Sequence, residues 1–132
     1  MSRRPVDAGS LKTGSFIVIN EEPCRIVEVE KSKPGKHGSA KVRITALGIF
    51  DGVKRSIVVP VDQKVDVPII EKSVAQVISM TPTTIQLMDL STYNVYEIVK
   101  DTVEPEIVEK LTVGSEVEVW EILGRKKVMR TR

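Results

Sequence analysis

One lysine, Lys36, stands closely flanked by glycines in the segment Lys33-Pro34-Gly35-Lys36-His37-Gly38. Glycine adopts positive φ at little steric cost, so this arrangement lets the chain present the lysine at an exposed tip. The lysine is thus presented and not packed. Spacing alone does not single it out, because exposed lysines in solvated hairpin loops are common. Gly35-Lys36 also resembles the end of a phosphate-binding loop, G-x-x-x-x-G-K-[ST]. That reading fails: Glu30 stands where the motif needs its first glycine, His37 replaces the Ser or Thr, and the next residues alternate as a strand where a phosphate-binding helix should start. A nucleotide-hydrolysing enzyme is therefore not expected.

Lys31, Lys33, Lys41 and Arg43 surround the same segment, and no acid falls between Lys31 and Arg43. Such a run can be a solvated face, but a same-sign group beside a loop tip suits contacts to RNA phosphates. The balance of 20 Lys and Arg against 18 Asp and Glu says little by itself about a nucleic-acid partner. His37 has no second titratable partner nearby, so it is expected to stack or hydrogen-bond with RNA and not to act as an acid or base. Cys24 is expected as a buried or half-buried strand residue. A single Cys and a single His allow neither an internal disulfide nor a Cys/His zinc site, so no metal is expected. Arg125, Lys126, Lys127, Arg130 and Arg132 at the C-terminus either touch RNA or form a solvated edge that blocks strand pairing. The aromatics, Phe16, Phe50, Tyr93, Tyr96 and Trp120, are expected mostly in the core, which equips the chain weakly for generic single-strand capture.

The elements that must position these residues are short strands. Val and Ile are abundant, and β-prone runs separated by turn residues follow one another: SFIVI, CRIVEVEK, AKVRITAL, KRSIVVPV and VDVPII. In the run after the lysine loop, Ala40, Val42, Ile44 and Ala46 alternate with Lys41, Arg43 and Thr45, so one face packs and the other meets solvent. Asp51-Gly52 marks a further hairpin. Five short strands in residues 1–70 suggest a small barrel. Pro68 and the polar residues 71–73 mark a junction, after which VAQVISM, TIQLMDL and NVYEIV form a second series. DTVEPEIVEKL reads as a short helix with Asp101 or Thr102 as N-cap and Ile107, Val108 and Leu111 as its apolar side. EVEVWEIL and KKVMRTR, joined through Gly124, close residues 71–132 as five strands with a helix before the fourth, the pattern of an OB-fold. The expected class is all-β: an SH3-like barrel over 1–70, then an OB-fold over 71–132. No run approaches the roughly 20 apolar residues of a membrane span, and MSRRPVDAGS lacks the apolar core of a secretory signal, so a cytoplasmic protein with no membrane partner is expected.

The segment SKPGKHGSAKVRI, Ser32 to Ile44, resembles the signature of the hypusine-containing translation factor five-A family. The resemblance extends over nearly the whole chain, through KTGS at Lys12, EEPCRIVEVE at Glu21 and VPVDQKVDVPII at Val59. It implies that Lys36 receives a spermidine-derived aminobutyl group from deoxyhypusine synthase and becomes deoxyhypusine or hypusine, with no other cofactor. It also implies a non-enzymatic partner of the ribosome, bound to large-subunit RNA beside peptidyl-tRNA, whose modified lysine reaches the tRNA acceptor end and helps proline-rich peptides form their next bond. Pro34 and Ser39 stand where eukaryotic members usually carry threonine and histidine, and the eukaryotic N-terminal extension is missing, which points to an archaeal member. The rival reading is a permanent structural ribosomal protein.

Overall fold

The computed structural model describes residues 2–32 and 40–132. Lys33, Pro34, Gly35, Lys36, His37 and Gly38 lie outside the described residues. The chain divides into two compact units, Met1–Ile69 and Ile70–Arg132.

In the first unit, β1 (Arg3–Asp7) leads through a 3₁₀ turn, Ala8–Ser10, to β2 (Phe16–Ile19), β3 (Glu22–Ser32), β4 (Lys41–Gly48), β5 (Lys54–Pro60) and β6 (Lys64–Pro68). Strands β2-β3-β4-β5 form one antiparallel sheet, and β1 pairs with β6. The two curl around Ala8, Leu11, Ile17, Ile19, Cys24, Ile26, Val42, Ile44 and Ala46, with Val29, Ile57 and Val59 packed against them. Fully burying an Ile or Val contributes about 1.5–3 kcal/mol, whereas an exposed ion pair is worth at most about 1 kcal/mol, so this apolar cluster decides the fold. The alternation expected for β4 holds for Val42, Ile44 and Ala46, but Thr45 is buried too, its Oγ1 lying 3.1 Å from Ser56 Oγ on β5.

Strand β1 is not anticipated by the sequence. Its RRPVD stretch is polar and carries Pro5, yet the register Arg3↔Pro68 to Asp7↔Lys64 completes the curl. Arg3 bonds Glu21 at 2.6 Å and Asp66 at 3.4 Å, and Lys64 meets Asp7 at 2.7 Å, tying the strand down.

The second unit comprises β7 (Ile70–Met80), β8 (Thr84–Asp89), β9 (Val95–Val99), a 3₁₀ turn at Lys100–Thr102, α1 (Pro105–Val108), β10 (Glu116–Ile122) and β11 (Arg125–Thr131). The sheet order β11-β10-β7-β8-β9, with the helix before the fourth strand, is that of an OB-fold. Its core joins Ala75, Val77, Ile85, Leu87, Val117, Val119 and Val128 to Val103 and Leu111 from the helical connection. The helix is shorter than expected, and its N-cap is Glu104, without a side-chain cap and with Pro105 in the first turn, in place of Asp101 or Thr102. Residues 71–73 are no junction loop: Glu71, Lys72 and Ser73 continue β7 and pair with Glu121, Trp120 and Val119.

The turn between β4 and β5 is fastened by charge. Asp51 accepts from Val53 N at 3.0 Å and from Arg55 at 2.8 and 3.1 Å. The Arg55 guanidinium and the Val53 N–H hold the Asp51 carboxyl down, from its ordinary 3.8 to about 2. A depressed carboxylate contributes stability that is complete above 3.8 and is lost as pH falls to about 2. Thermal melts across that window should therefore show wild type losing more of its melting temperature than Asp51→Asn; parallel profiles would show that the pair does not stabilise the fold.

Candidate functional site

The connection that contains Lys36 springs from a clamped base. Ser32 at the end of β3 pairs with Lys41 at the start of β4, and Lys41 pairs in turn with Pro60. Ala40 O accepts from Val61 N at 3.0 Å. Both ends of the segment 33–39 are thus held by backbone pairing among β3, β4 and β5. At 11 residues β3 is one of the two longest strands, extending roughly 35 Å.

A bulge in β3 decides which side chains accompany that base. Ile26 pairs with Ala46 and Glu28 with Thr45, leaving Val27 as the extra residue. From there Glu28 and Glu30 share the outer face with Lys41 and Arg43, while Val29 and Lys31 continue on the side of buried Ile44 and Val42. The cations that cluster in sequence are therefore divided. Lys41 and Arg43 stand together on one face, next to Val58, which is 61% exposed, and Lys31 is exposed on the other. Lys33 lies outside the described residues.

Pairing also brings acid to a stretch that has none in sequence, because Glu30 is the cross-strand partner of Arg43. Glu28, hydrogen-bonded to Glu30 and of like charge, raises the Glu30 pKa, and Arg43 opposes that shift. Sequence reasoning missed these carboxylates because their position depends on the bulge.

The remaining candidates fall elsewhere. Cys24 is buried, and burial pushes its thiol pKa up, which suits a core residue and not a nucleophile. On β11, Lys126 sits 3.9 Å from both Glu121 and the Tyr96 ring centroid, Lys127 donates to Thr102 O at 3.3 Å, and Arg130 meets Glu118 at 3.3 Å. These contacts favour the edge reading of the C-terminal cations. The expectation that the aromatics are mostly core is corrected: Trp120 is buried, Phe16, Phe50 and Tyr96 are half-buried, and Tyr93 is 71% exposed. Among the described residues no group of His, Cys, Asp and Glu could hold a metal ion, and no helix is long and apolar enough to cross a membrane.

An SH3-like barrel followed by an OB-fold places the chain in the class of two-domain, all-β proteins. Residues 2–63 match the family model "Translation initiation factor 5A-like, N-terminal", and residues 69–132 match "Eukaryotic elongation factor 5A hypusine, DNA-binding OB fold". Translation initiation factor 5A of Thermofilum pendens is 59% identical, the alignment covering 100% of this chain and 99% of that one. The Caldivirga maquilingensis protein of the same name is 57% identical over 100% of both. The solved structure of the factor from Methanococcus jannaschii superposes with a TM-score of 0.89 at 40% identity, over 99% of this chain and 98% of that one. The chain belongs to the translation initiation factor 5A family, and its relatives from Thermofilum, Caldivirga and Methanococcus are archaeal.

The outer-face carboxylates give a direct test. In Glu28→Gln the Glu30 carboxyl should titrate at lower pH than in wild type, as read by NMR of the labelled side-chain carbonyl; an unchanged midpoint would show that the two carboxyls do not interact.

Proposed function

We propose that the chain is a non-enzymatic translation factor that binds the ribosome beside peptidyl-tRNA. There it promotes peptide-bond formation at stalling, proline-rich sequences through Lys36 carried as deoxyhypusine or hypusine. The observation that supports this most directly is full-length membership of the family together with the glycine-flanked lysine, in a connection whose two ends are fixed by sheet pairing. The aminobutyl group, derived from spermidine and installed by deoxyhypusine synthase, would lengthen the side chain and provide two cationic donors where lysine has one. Those donors suit the phosphates and hydroxyls of the tRNA acceptor end.

The protein's own contribution is position. Fixed ends at Ser32 and Ala40 limit how far the arm can stray, and orientation of a bound reactant lowers a barrier by removing entropy that would otherwise be lost at the reaction. The ribosome performs the bond chemistry. Lys41 and Arg43 on the outer face, with Lys31 and Lys33, are assigned to large-subunit RNA phosphates, and the cytoplasm is the place of work.

Peptide mass spectrometry of protein from its native host should find the aminobutyl adduct on Lys36 alone. Lys36→Arg keeps the charge but removes the primary amine that accepts the adduct. It should abolish modification and proline-stretch translation in a reconstituted assay while changing stability by no more than about 0.5 kcal/mol, as for other surface substitutions. An arginine variant that matches modified wild type would overturn the reading.

Ribosome association should weaken steeply with salt. Replacing Lys41 and Arg43 with Ala should reduce the slope of log affinity against log salt by roughly 1.5, because two phosphates are then no longer neutralised. A slope that does not move places the RNA surface elsewhere, and protein that stays stoichiometric on ribosomes after a high-salt wash is a structural component and not a factor.

A further inference from the structure

A second cationic site lies in the first unit, away from the end of β3 at Ser32. A groove of about 340 Å³ opens between β1, the 3₁₀ turn and the start of β2, with Arg4, Ser10, Leu11, Lys12, Ser15 and Phe16 among its walls. Among the described residues, no carboxylate lines it. Arg3 and Lys64, on the same pair of strands, are taken up by Glu21, Asp66 and Asp7. Among the described residues, Arg4 and Lys12 form no ion pair. Two uncompensated cations facing one groove create a positive potential that an anion would relieve.

The groove is also fixed in shape. Lys12 N donates to Ser15 Oγ at 3.3 Å, Ser15 Oγ donates to Lys12 O at 2.5 Å, and Gly14, at φ +91°, donates to Ile26 O at 2.8 Å. The Ser10 hydroxyl donates to Asp7 O at 2.7 Å. Both serine hydroxyl protons are thus directed at backbone carbonyls, so the charge of an anion falls to Arg4 and Lys12, while the Ser10 oxygen remains able to accept from a sugar hydroxyl or an amino group. Phe16 adds a flat apolar wall, and the Arg25 guanidinium lies 5.4 Å from its ring centroid. Six residues of β3 lie between Arg25 and Ser32, roughly 20 Å, so this groove is separate from the described base of the Lys36 connection.

We propose that this groove binds a nucleoside phosphate, the phosphate held by Arg4 and Lys12 and the base lodged against Phe16 and Leu11. The cations supply charge-assisted hydrogen bonds and the ring supplies stacking, the two contacts that such a ligand needs. The ligand chemistry is shared by a free nucleotide and by one nucleotide of an RNA chain.

The test is an NMR titration of isotope-labelled full-length protein with adenosine monophosphate, adenosine, inorganic phosphate and a short oligoadenylate. Adenosine monophosphate should shift the Ser10, Leu11, Lys12 and Ser15 amides saturably, and adenosine and inorganic phosphate should each bind at least about tenfold more weakly. Arg4→Gln should weaken the nucleotide about tenfold with the remaining amide spectrum unchanged. Lys12→Gln, in a turn fastened by backbone groups, serves as the second variant should β1 be disturbed in the first. Tighter binding of the oligoadenylate assigns the groove to an RNA chain, and equal binding assigns it to the free nucleotide. Absence of shifts in these amides, shifts as large with adenosine as with its monophosphate, or binding that survives both substitutions overturns the proposal.

Discussion

The register between β3 and β4 is the constraint on which the first unit depends. Buried Val42, Ile44 and Ala46 occupy alternate positions of β4, so a slip by one residue would expose all three and turn Lys41 and Arg43 inward. The bulge at Val27 is part of that register. In β3 the inward residues are Cys24 and Ile26 and then Val29, three positions after Ile26, a spacing that no uninterrupted strand can place on one face. Without the extra residue Glu28 and Glu30 would point into the core, at a desolvation cost that Coulomb pairing at the surface could not offset. One irregularity thus fixes the core, the outer face and the base of the lysine connection together.

Charge is distributed unevenly between the two units. Residues 1–69 carry twelve Lys and Arg against eight Asp and Glu, whereas residues 70–132 carry eight against ten, so the formal charge of +2 is the difference of +4 and −2. The uneven part is the informative one. An anionic partner gains from the first unit and is repelled by the second, apart from local groupings. Within the first unit the cations also differ in availability: Arg3, Arg55 and Lys64 are spent on Glu21, Asp66, Asp51 and Asp7, and Arg43 faces Glu30.

Much of this was legible in the sequence, and the parts that were not share a physical cause. The strands from Phe16 onward follow from period-two runs and turn residues, and the OB-like second half follows from a helix placed before its fourth strand. The peculiarity of Lys36 was visible as a glycine-flanked lysine and became specific only through the surrounding signature. Strand β1 was hidden because Pro5 and its charged neighbours argue locally against a strand, and only pairing with β6 overrides them. The same holds for Glu71 to Ser73, polar residues kept in β7 by their pairing with β10. The division of the basic cluster over two faces was hidden for a related reason, since the face a residue occupies after a bulge depends on counting from the bulge. Thr45 escaped because a hydroxyl paired with Ser56 can be buried at little cost, an exception that alternation does not encode.

The C-terminal hairpin shows why cations in a sequence are a poor guide to nucleic-acid contact until their partners are known. An RNA strand laid along β11 would have to separate Arg130 from Glu118 and Lys126 from Glu121 and the Tyr96 ring, and the carboxylates left behind would then face its phosphates. Each exchange gives up one attraction and adds one repulsion. Glu118 is further committed by the Trp120 indole N–H, which donates to it at 3.0 Å, so it cannot simply turn away. Arg4, Lys12 and Lys41 in the first unit form no ion pair among the described residues, so an approaching phosphate there meets a cation that gives up only water. The same side-chain type is therefore structural where a neighbouring strand carries an acid in register, as for Arg130 and Lys64, and available where none does, as for Arg4 and Lys41.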